Sequence, residues 1–104
     1  MRKYRNTPTT VDGIRFDSRK EAARYSELKL LEKAGEINEV TLQPEYHVYI
    51  RGQKICTYKA DFRYWQGATR IVEDVKSPAT RKNPTYRLKK KLVEAVYGIK
   101  ICEV

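Results

Sequence analysis

Two stretches of helical periodicity bracket a block of strand-like sequence, and that alternation restricts the chain to folds that pack helices against a sheet. The first helical stretch opens at Ser18, a good N-cap with Glu21 at the third helical position. It repeats through Tyr25, Leu28 and Leu31 and stops at Gly35. The second runs from Thr85 to Tyr97 through Leu88, Leu92, Val93 and Val96 and stops at Gly98. Between them, Val40 to Leu42, Tyr46 to Ile50, Lys54 to Trp65 and Arg70 to Val75 are rich in β-branched and aromatic residues, with turn signals at Arg51-Gly52 and Gln66-Gly67. This block predicts an antiparallel meander. Ahead of it, Asp12-Gly13 between Thr9-Thr10-Val11 and Ile14-Arg15-Phe16 predicts a type I′ hairpin. Behind it, Ser77 to Pro84 reads as a loop and Ile99 to Val104 as an alternating strand. The expected fold is α/β (α+β), with an αβββαβ core and a mixed sheet flanked by helices.

At 104 residues the chain has room for one core and one domain, taken as residues 1–104, but not for a catalytic and a regulatory domain together. With 22 Lys and Arg against 13 Asp and Glu, it carries a net charge of +9, which makes a polyanion the natural partner. The basic amino end, Arg2-Lys3-Tyr4-Arg5, lacks the apolar stretch of a signal peptide, and no apolar run reaches membrane-spanning length. A cytoplasmic location is expected. Cys56 and Cys102 stand in no close-spaced motif, so reduced, structural thiols are expected. His47 is the only histidine, which excludes two-histidine nuclease mechanisms and paired His/Cys zinc sites; its strand-like context suggests a half-buried structural residue. Neither a G-x-x-x-x-G-K-[ST] loop nor a G-x-G-x-x-G turn is present. The chemistry left to the chain must use carboxylates, Lys and Tyr.

Those residue types concentrate in Tyr58-Lys59-Ala60-Asp61-Phe62 and Ile71-Val72-Glu73-Asp74-Val75-Lys76. Side chains alternate along a strand, so Asp74 and Lys76 share a face and Glu73 points the other way. A two-residue loop at Gln66-Gly67 would pair Asp61 with Val72, and a four-residue loop would pair it with Asp74; both put Asp61 and Asp74 on one face. On that pairing Cys56, Tyr58, Ala60, Phe62 and Tyr64 form a single apolar face, and Glu73 falls on it as a misfit that could itself be the ligand. Two carboxylates about 5 Å apart repel by about 3 kcal/mol at an effective dielectric near 20, which a divalent cation between them removes. Mg²⁺ takes few, hard oxygen ligands and leaves room for a phosphate oxygen, while a nearby Lys holds water and offsets charge. Glu21 has two readings, an ordinary capping box with Ser18 or a further acid over the sheet.

A helix carrying Glu21, a strand carrying Asp61 and a strand ending in Asp74-Val75-Lys76 resemble the PD-(D/E)XK nuclease superfamily. More closely, Phe16-Asp17-Ser18-Arg19-Lys20-Glu21-Ala22, Leu42-Gln43-Pro44, Ala60-Asp61-Phe62 and Val72-Glu73-Asp74-Val75-Lys76 resemble small phage and prophage proteins of the DUF1064 type, over nearly the whole chain. The resemblance implies a restriction-endonuclease-like core in which Asp61 and Asp74 ligate Mg²⁺ or Mn²⁺, the Val75 carbonyl adds a ligand and Lys76 positions water. Glu21 would assist as a further ligand or with the base, and Gln43 would lie near the site. The chain departs from the pattern at Ala60, where the superfamily's name has Pro, and at Ser77, which follows the Lys where Gly is expected.

Arg81, Lys82, Arg87, Lys89, Lys90 and Lys91 cluster after the catalytic strand, where they can follow a phosphate backbone; Tyr86 and Trp65 can stack on splayed bases. The expected function is a metal-dependent DNA endonuclease acting in phage DNA metabolism in a bacterial host, with branched DNA such as a Holliday junction among its candidate substrates. A homodimer is the simplest way for so small a domain to engage two strands. The alternative is a non-catalytic, basic nucleic-acid-binding accessory protein, in which the acids only balance charge.

Overall fold

A computed structural model describes residues 7–104; the basic stretch at residues 1–6 lies outside the described residues. In chain order the elements are β1 (Thr9–Val11), β2 (Ile14–Phe16), α1 (Arg19–Lys33), β3 (Asn38–Leu42), β4 (Glu45–Ile50), β5 (Gln53–Lys59), β6 (Phe62–Gln66), β7 (Thr69–Asp74), α2 (Pro78–Arg81), α3 (Pro84–Tyr97) and β8 (Ile101–Glu103). Four strands form the central sheet in the order β3-β6-β7-β8, antiparallel except for the parallel pair β7/β8. With the hairpins β1–β2 and β4–β5 and the single-turn α2 set aside, α1, β3, β6, β7, α3 and β8 run αβββαβ. The architecture is the mixed α/β one expected.

Local chemistry accounts for most of these elements. Asp12 and Gly13 both have positive φ, 52° and 75°, the conformation a type I′ turn requires. The α1 helix starts where Ser18 accepts the Glu21 N–H, and it ends in a Schellman motif, with Gly35 N–H donated to Glu32 O and Glu36 N–H to Leu31 O. In the stretch read as a loop, Ser77 and Thr80 form a full capping box that supports the single-turn helix α2.

The expected strand from Lys54 to Trp65 is instead two strands, broken at Ala60-Asp61. At that point the backbone changes partners: Ala60 N–H is donated to Pro44 O, Asp61 N–H to Glu73 O, and Asp61 O accepts from Gln43 N–H. The chain thereby leaves the β4–β5 ladder and enters the central sheet. The expected single apolar face divides accordingly. Tyr58 and Ala60 join Tyr46, Val48, Val72, Val93 and Ile101 in one core, while Phe62 and Tyr64 join Phe16, Ala22, Tyr25, Leu28 and Ile37 in another. The sheet is covered on both faces, so an unbroken apolar alternation in sequence serves two cores.

The β6/β7 register runs Phe62↔Glu73, Trp65↔Arg70 and Gln66↔Thr69. This is the register of the second pairing considered, but the ladder ends at Phe62, and Asp61 beyond it turns its N–H to Glu73 O. Glu73, the misfit, points toward α1 and is 2% exposed. Arg24 meets it with a fork, Nε to Oε1 at 2.8 Å and Nη2 to Oε2 at 2.6 Å, and the Tyr64 hydroxyl also donates to Oε2. All the demand of a buried carboxylate is thus met by α1 and β6. The burial of Tyr64 and its bond to Glu73 hold its phenol well above its ordinary pKa.

A buried ion pair adds little net stability over an apolar pair, but removing one partner strands the other charge at a cost of about 3–5 kcal/mol. We therefore expect Arg24→Ala to lower the unfolding free energy in urea by about 3 kcal/mol, with Arg24→Met/Glu73→Leu recovering most of it. A loss below about 0.5 kcal/mol for Arg24→Ala would remove the pair as an anchor, since that is the size of an ordinary surface substitution.

Candidate active site

The Arg24–Glu73 anchor delivers Glu21, one helical turn earlier on the same face of α1, to the end of the sheet. Its N–H is capped by Ser18, but its carboxyl lies on the Asp61 side, in a shared cavity. Both line a cavity of about 170 Å³ with Gln43 and the apolar side chains of Ile14, Phe16, Leu42 and Phe62. Gln43 holds the left-handed conformation, φ 49°, a rare one for a non-glycine residue, and its N–H is bonded to Asp61 O at 3.0 Å. The structure therefore brings Glu21, Gln43 and Asp61 together.

Asp61 is held from two further directions. Its Oδ2 accepts the Val75 N–H at 2.7 Å, and its own N–H reaches Glu73 O at 3.1 Å. These bonds fix the Val75 peptide beside the Asp61 carboxylate. Asp74, the last residue of β7, is 2% exposed, and its Oδ2 is buried with no hydrogen-bond partner. Lys76 follows on a backbone clamped by β8: Val104 N–H is donated to Asp74 O, and Lys76 N–H to Val104 O. The Lys20 ammonium also reaches Lys76 O at 2.9 Å. The Lys76 ammonium lies 4.3 Å from the centroid of the Tyr86 ring, a cation–π contact.

Charge is arranged unevenly across these residues. Burial first, and then the hydrogen bond and charge of Asp61, push Glu21 up to about 8. Burial pushes Asp74 up to about 6 against the opposing Lys76 charge and the Asp61 backbone N–H. Both acids are thus held in an environment that resists their ionisation unless a cation joins them. The donor set is all oxygen and includes an unpaired buried carboxylate oxygen, which suits a hard divalent ion. Among the described residues, no three His, Cys, Asp or Glu side chains are gathered as a ready-made metal cage.

The six expected phosphate-binding residues do not form one surface. Arg81, Lys82, Arg87, Lys90 and Lys91 line a groove of about 650 Å³ between α2 and α3, together with Glu94 and Glu103. Lys89 lies on the other side of α3, in a groove of about 520 Å³ with Lys59, Lys76 and Tyr86. Glu103, which sequence reasoning missed, sits between them: its carboxylate accepts from Tyr86 OH at 2.6 Å and pairs with Arg81 at 3.4 Å and Lys90 at 4.0 Å. Its only signal was its place in the last strand, where parallel pairing sets it beside Asp74. Trp65 is half-buried under the Arg70 guanidinium, 4.8 Å from the ring centroid. His47 is exposed on β4 rather than half-buried, because the alternation of that strand buries Tyr46 and Val48. Cys56 and Cys102 are free thiols. No helix among the described residues is long and apolar enough to cross a membrane.

Fold and side chains together define a small α/β protein with an αβββαβ core, in which Glu21, Gln43 and Asp61 share one cavity and Asp74 and Lys76 stand at the end of the neighbouring strand β7. The sequence profile of DUF1064, a protein of unknown function, matches residues 1–101, and the chain belongs to that family. No curated protein and no solved structure matches it.

In its folded state Glu21 keeps its proton up to about pH 8, whereas in the unfolded chain it loses it near 4.5. The folded form therefore binds the extra proton between those values, and its contribution to stability is full below pH 4.5 and lost as pH rises toward 8. In chelator, the melting temperature of Glu21→Gln should gain on that of the wild type steadily from pH 5 to 8. A gap that does not change with pH would contradict the placement of the carboxyl.

Proposed function

We propose that this protein is a metal-dependent DNA endonuclease of the PD-(D/E)XK type, hydrolysing phosphodiesters with Mg²⁺ or Mn²⁺. The observation that carries the reading is the buried, unpartnered Oδ2 of Asp74, two residues from Lys76 and next to Glu73, whose carbonyl accepts the Asp61 N–H. Leaving such an oxygen unpaired costs about 1–3 kcal/mol or more, a penalty a divalent ligand removes. Asp61, Asp74 and the Val75 carbonyl would hold the metal, with Glu21 as the further acid. When bound, the ion supplies Lewis acidity toward the phosphate and lowers the pKa of water. Lys76, steadied on the Tyr86 ring, orients the attacking water and offsets charge on the phosphoryl oxygens. Glu21, ionised once a metal has joined the acids, would take the proton. The +9 net charge and the two basic grooves support DNA as the polyanion. The resemblance behind this reading also implies a phage or prophage setting, and a homodimer suits the small footprint.

A second reading rests on the absence of a gathered three-acid cage among the described residues: a non-catalytic DNA-binding accessory protein, whose affinity survives in EDTA without turnover. One experiment separates the two. Labelled duplex, fork, four-way junction and single strand are incubated with wild type, Asp74→Asn and Lys76→Ala in Mg²⁺, Mn²⁺ or EDTA. We expect metal-dependent products with 5′ phosphates and a rate loss of at least about 10²-fold in each variant. Saturating metal should also raise the melting temperature of the wild type at pH 8 but not that of Asp74→Asn, since a ligand at 100 times its Kd stabilises by about 2.7 kcal/mol. DNA binding with neither cleavage nor a metal-dependent shift would establish the accessory protein instead.

A further inference from the structure

The two basic grooves differ in chemistry, and they are separated by a side-chain partition. The α2–α3 groove carries five cations and no aromatic residue, with Glu94 and Glu103 on its wall. Glu94 is already engaged by the Ile101 N–H at 2.8 Å, and Glu103 by Tyr86, Arg81 and Lys90. Such a surface suits backbone phosphates, and with Leu88 as its one apolar side chain it has no ring on which a base can stack. The β5–α3 groove combines three lysines, Lys59, Lys76 and Lys89, with the Tyr86 ring and the polar side chains of Asn83 and Thr85. Tyr58 also lines it, and its hydroxyl is buried without a partner. Cations with an aromatic ring and hydrogen-bonding side chains suit an unpaired nucleotide, whose phosphate and base are both accessible. Between the grooves runs the Tyr86–Glu103 hydrogen bond, and the neighbours Lys89 and Lys90 fall on opposite sides of it, the first toward Thr57 O and the second toward Glu103.

We infer that the two grooves take different parts of one DNA: duplex backbone in the α2–α3 groove and a diverging single strand in the β5–α3 groove, so that the ligand is a duplex–single-strand boundary. The inference rests on the nuclease reading only in placing the boundary at Lys76, which opens into the single-strand groove. A continuous duplex would fill the first groove alone. The strand leaving it passes Tyr86 and enters the second, where Lys59 and Lys89 meet its phosphates.

The test is equilibrium binding in EDTA of a fork with a single-stranded arm and of a duplex of equal length, so that cleavage plays no part. Wild type should bind the fork about tenfold more tightly. Lys59→Ala/Lys89→Ala should bring the fork-to-duplex ratio close to one and lower the slope of log affinity against log salt for the fork by about 1.4, two single-strand phosphate contacts. Arg87→Ala/Lys91→Ala should weaken both DNAs and keep the ratio. Thermal melting checks that each variant folds. Equal affinity of the wild type for fork and duplex would overturn the inference, as would a common factor of loss on both DNAs in the Lys59/Lys89 variant. Either result leaves the cleavage assay untouched, and a protein that never cuts can still show the fork preference.

Discussion

The fork between Arg24 and Glu73 is the contact on which the rest of the arrangement depends. A helix lying on a sheet can slide or rotate at modest cost while its apolar side chains repack, but a two-pronged ionic contact inside the interface admits one position. With that position set, the i, i+3 geometry of α1 carries Glu21 to Asp61, and Lys20 comes within reach of the Lys76 carbonyl. The same contact explains why an acid can sit in the core of so basic a chain. Glu73 serves the fold, and its neighbour Asp74, turned to the opposite face by the strand's alternation, keeps an oxygen without a partner.

Adjacent acids with opposite duties create a local imbalance. Glu73 has both oxygens bonded, whereas Asp74 has an oxygen that nothing answers and Glu21 faces another carboxyl. Folding tolerates these unfavourable terms because two separate cores, one beneath α1 and one beneath α3, close around the strands that bear them. Local cost concentrated at one spot, set against consistent packing elsewhere, is the pattern expected of a site kept for binding rather than for stability.

Much of this was legible in the residues themselves. Capping and turn signals located the first hairpin and both long helices, because those features depend on a few neighbouring residues: Asp12-Gly13, Ser18 and Gly35, Gly98. The β6/β7 register was one of the two that parity allowed. The break at Ala60-Asp61 was not legible, because Tyr58, Ala60, Phe62 and Tyr64 alternate without interruption and only their partners change. Nor was the duty of Glu73, since its partners Arg24 and Tyr64 lie far away in sequence or seem part of an apolar pattern. The six cations looked like one patch in sequence; a helix turns about 100° per residue, so Lys89 and Lys90 part company once α3 has something on each side.

The closing strand has a consequence for the order in which the protein becomes competent. The peptide carrying Lys76 is stitched on both sides to Val104, and Asp74 lies beside Glu103 in the parallel ladder. A nascent chain that has exposed the acids and the basic helix, but not yet residues 101–104, therefore holds Asp74 and Lys76 without the clamp that Val104 supplies. Domains assemble as synthesis proceeds from the amino end. The surroundings of Asp74 and Lys76 are therefore completed only when β8 has docked against β7, whatever else of the fold has already formed.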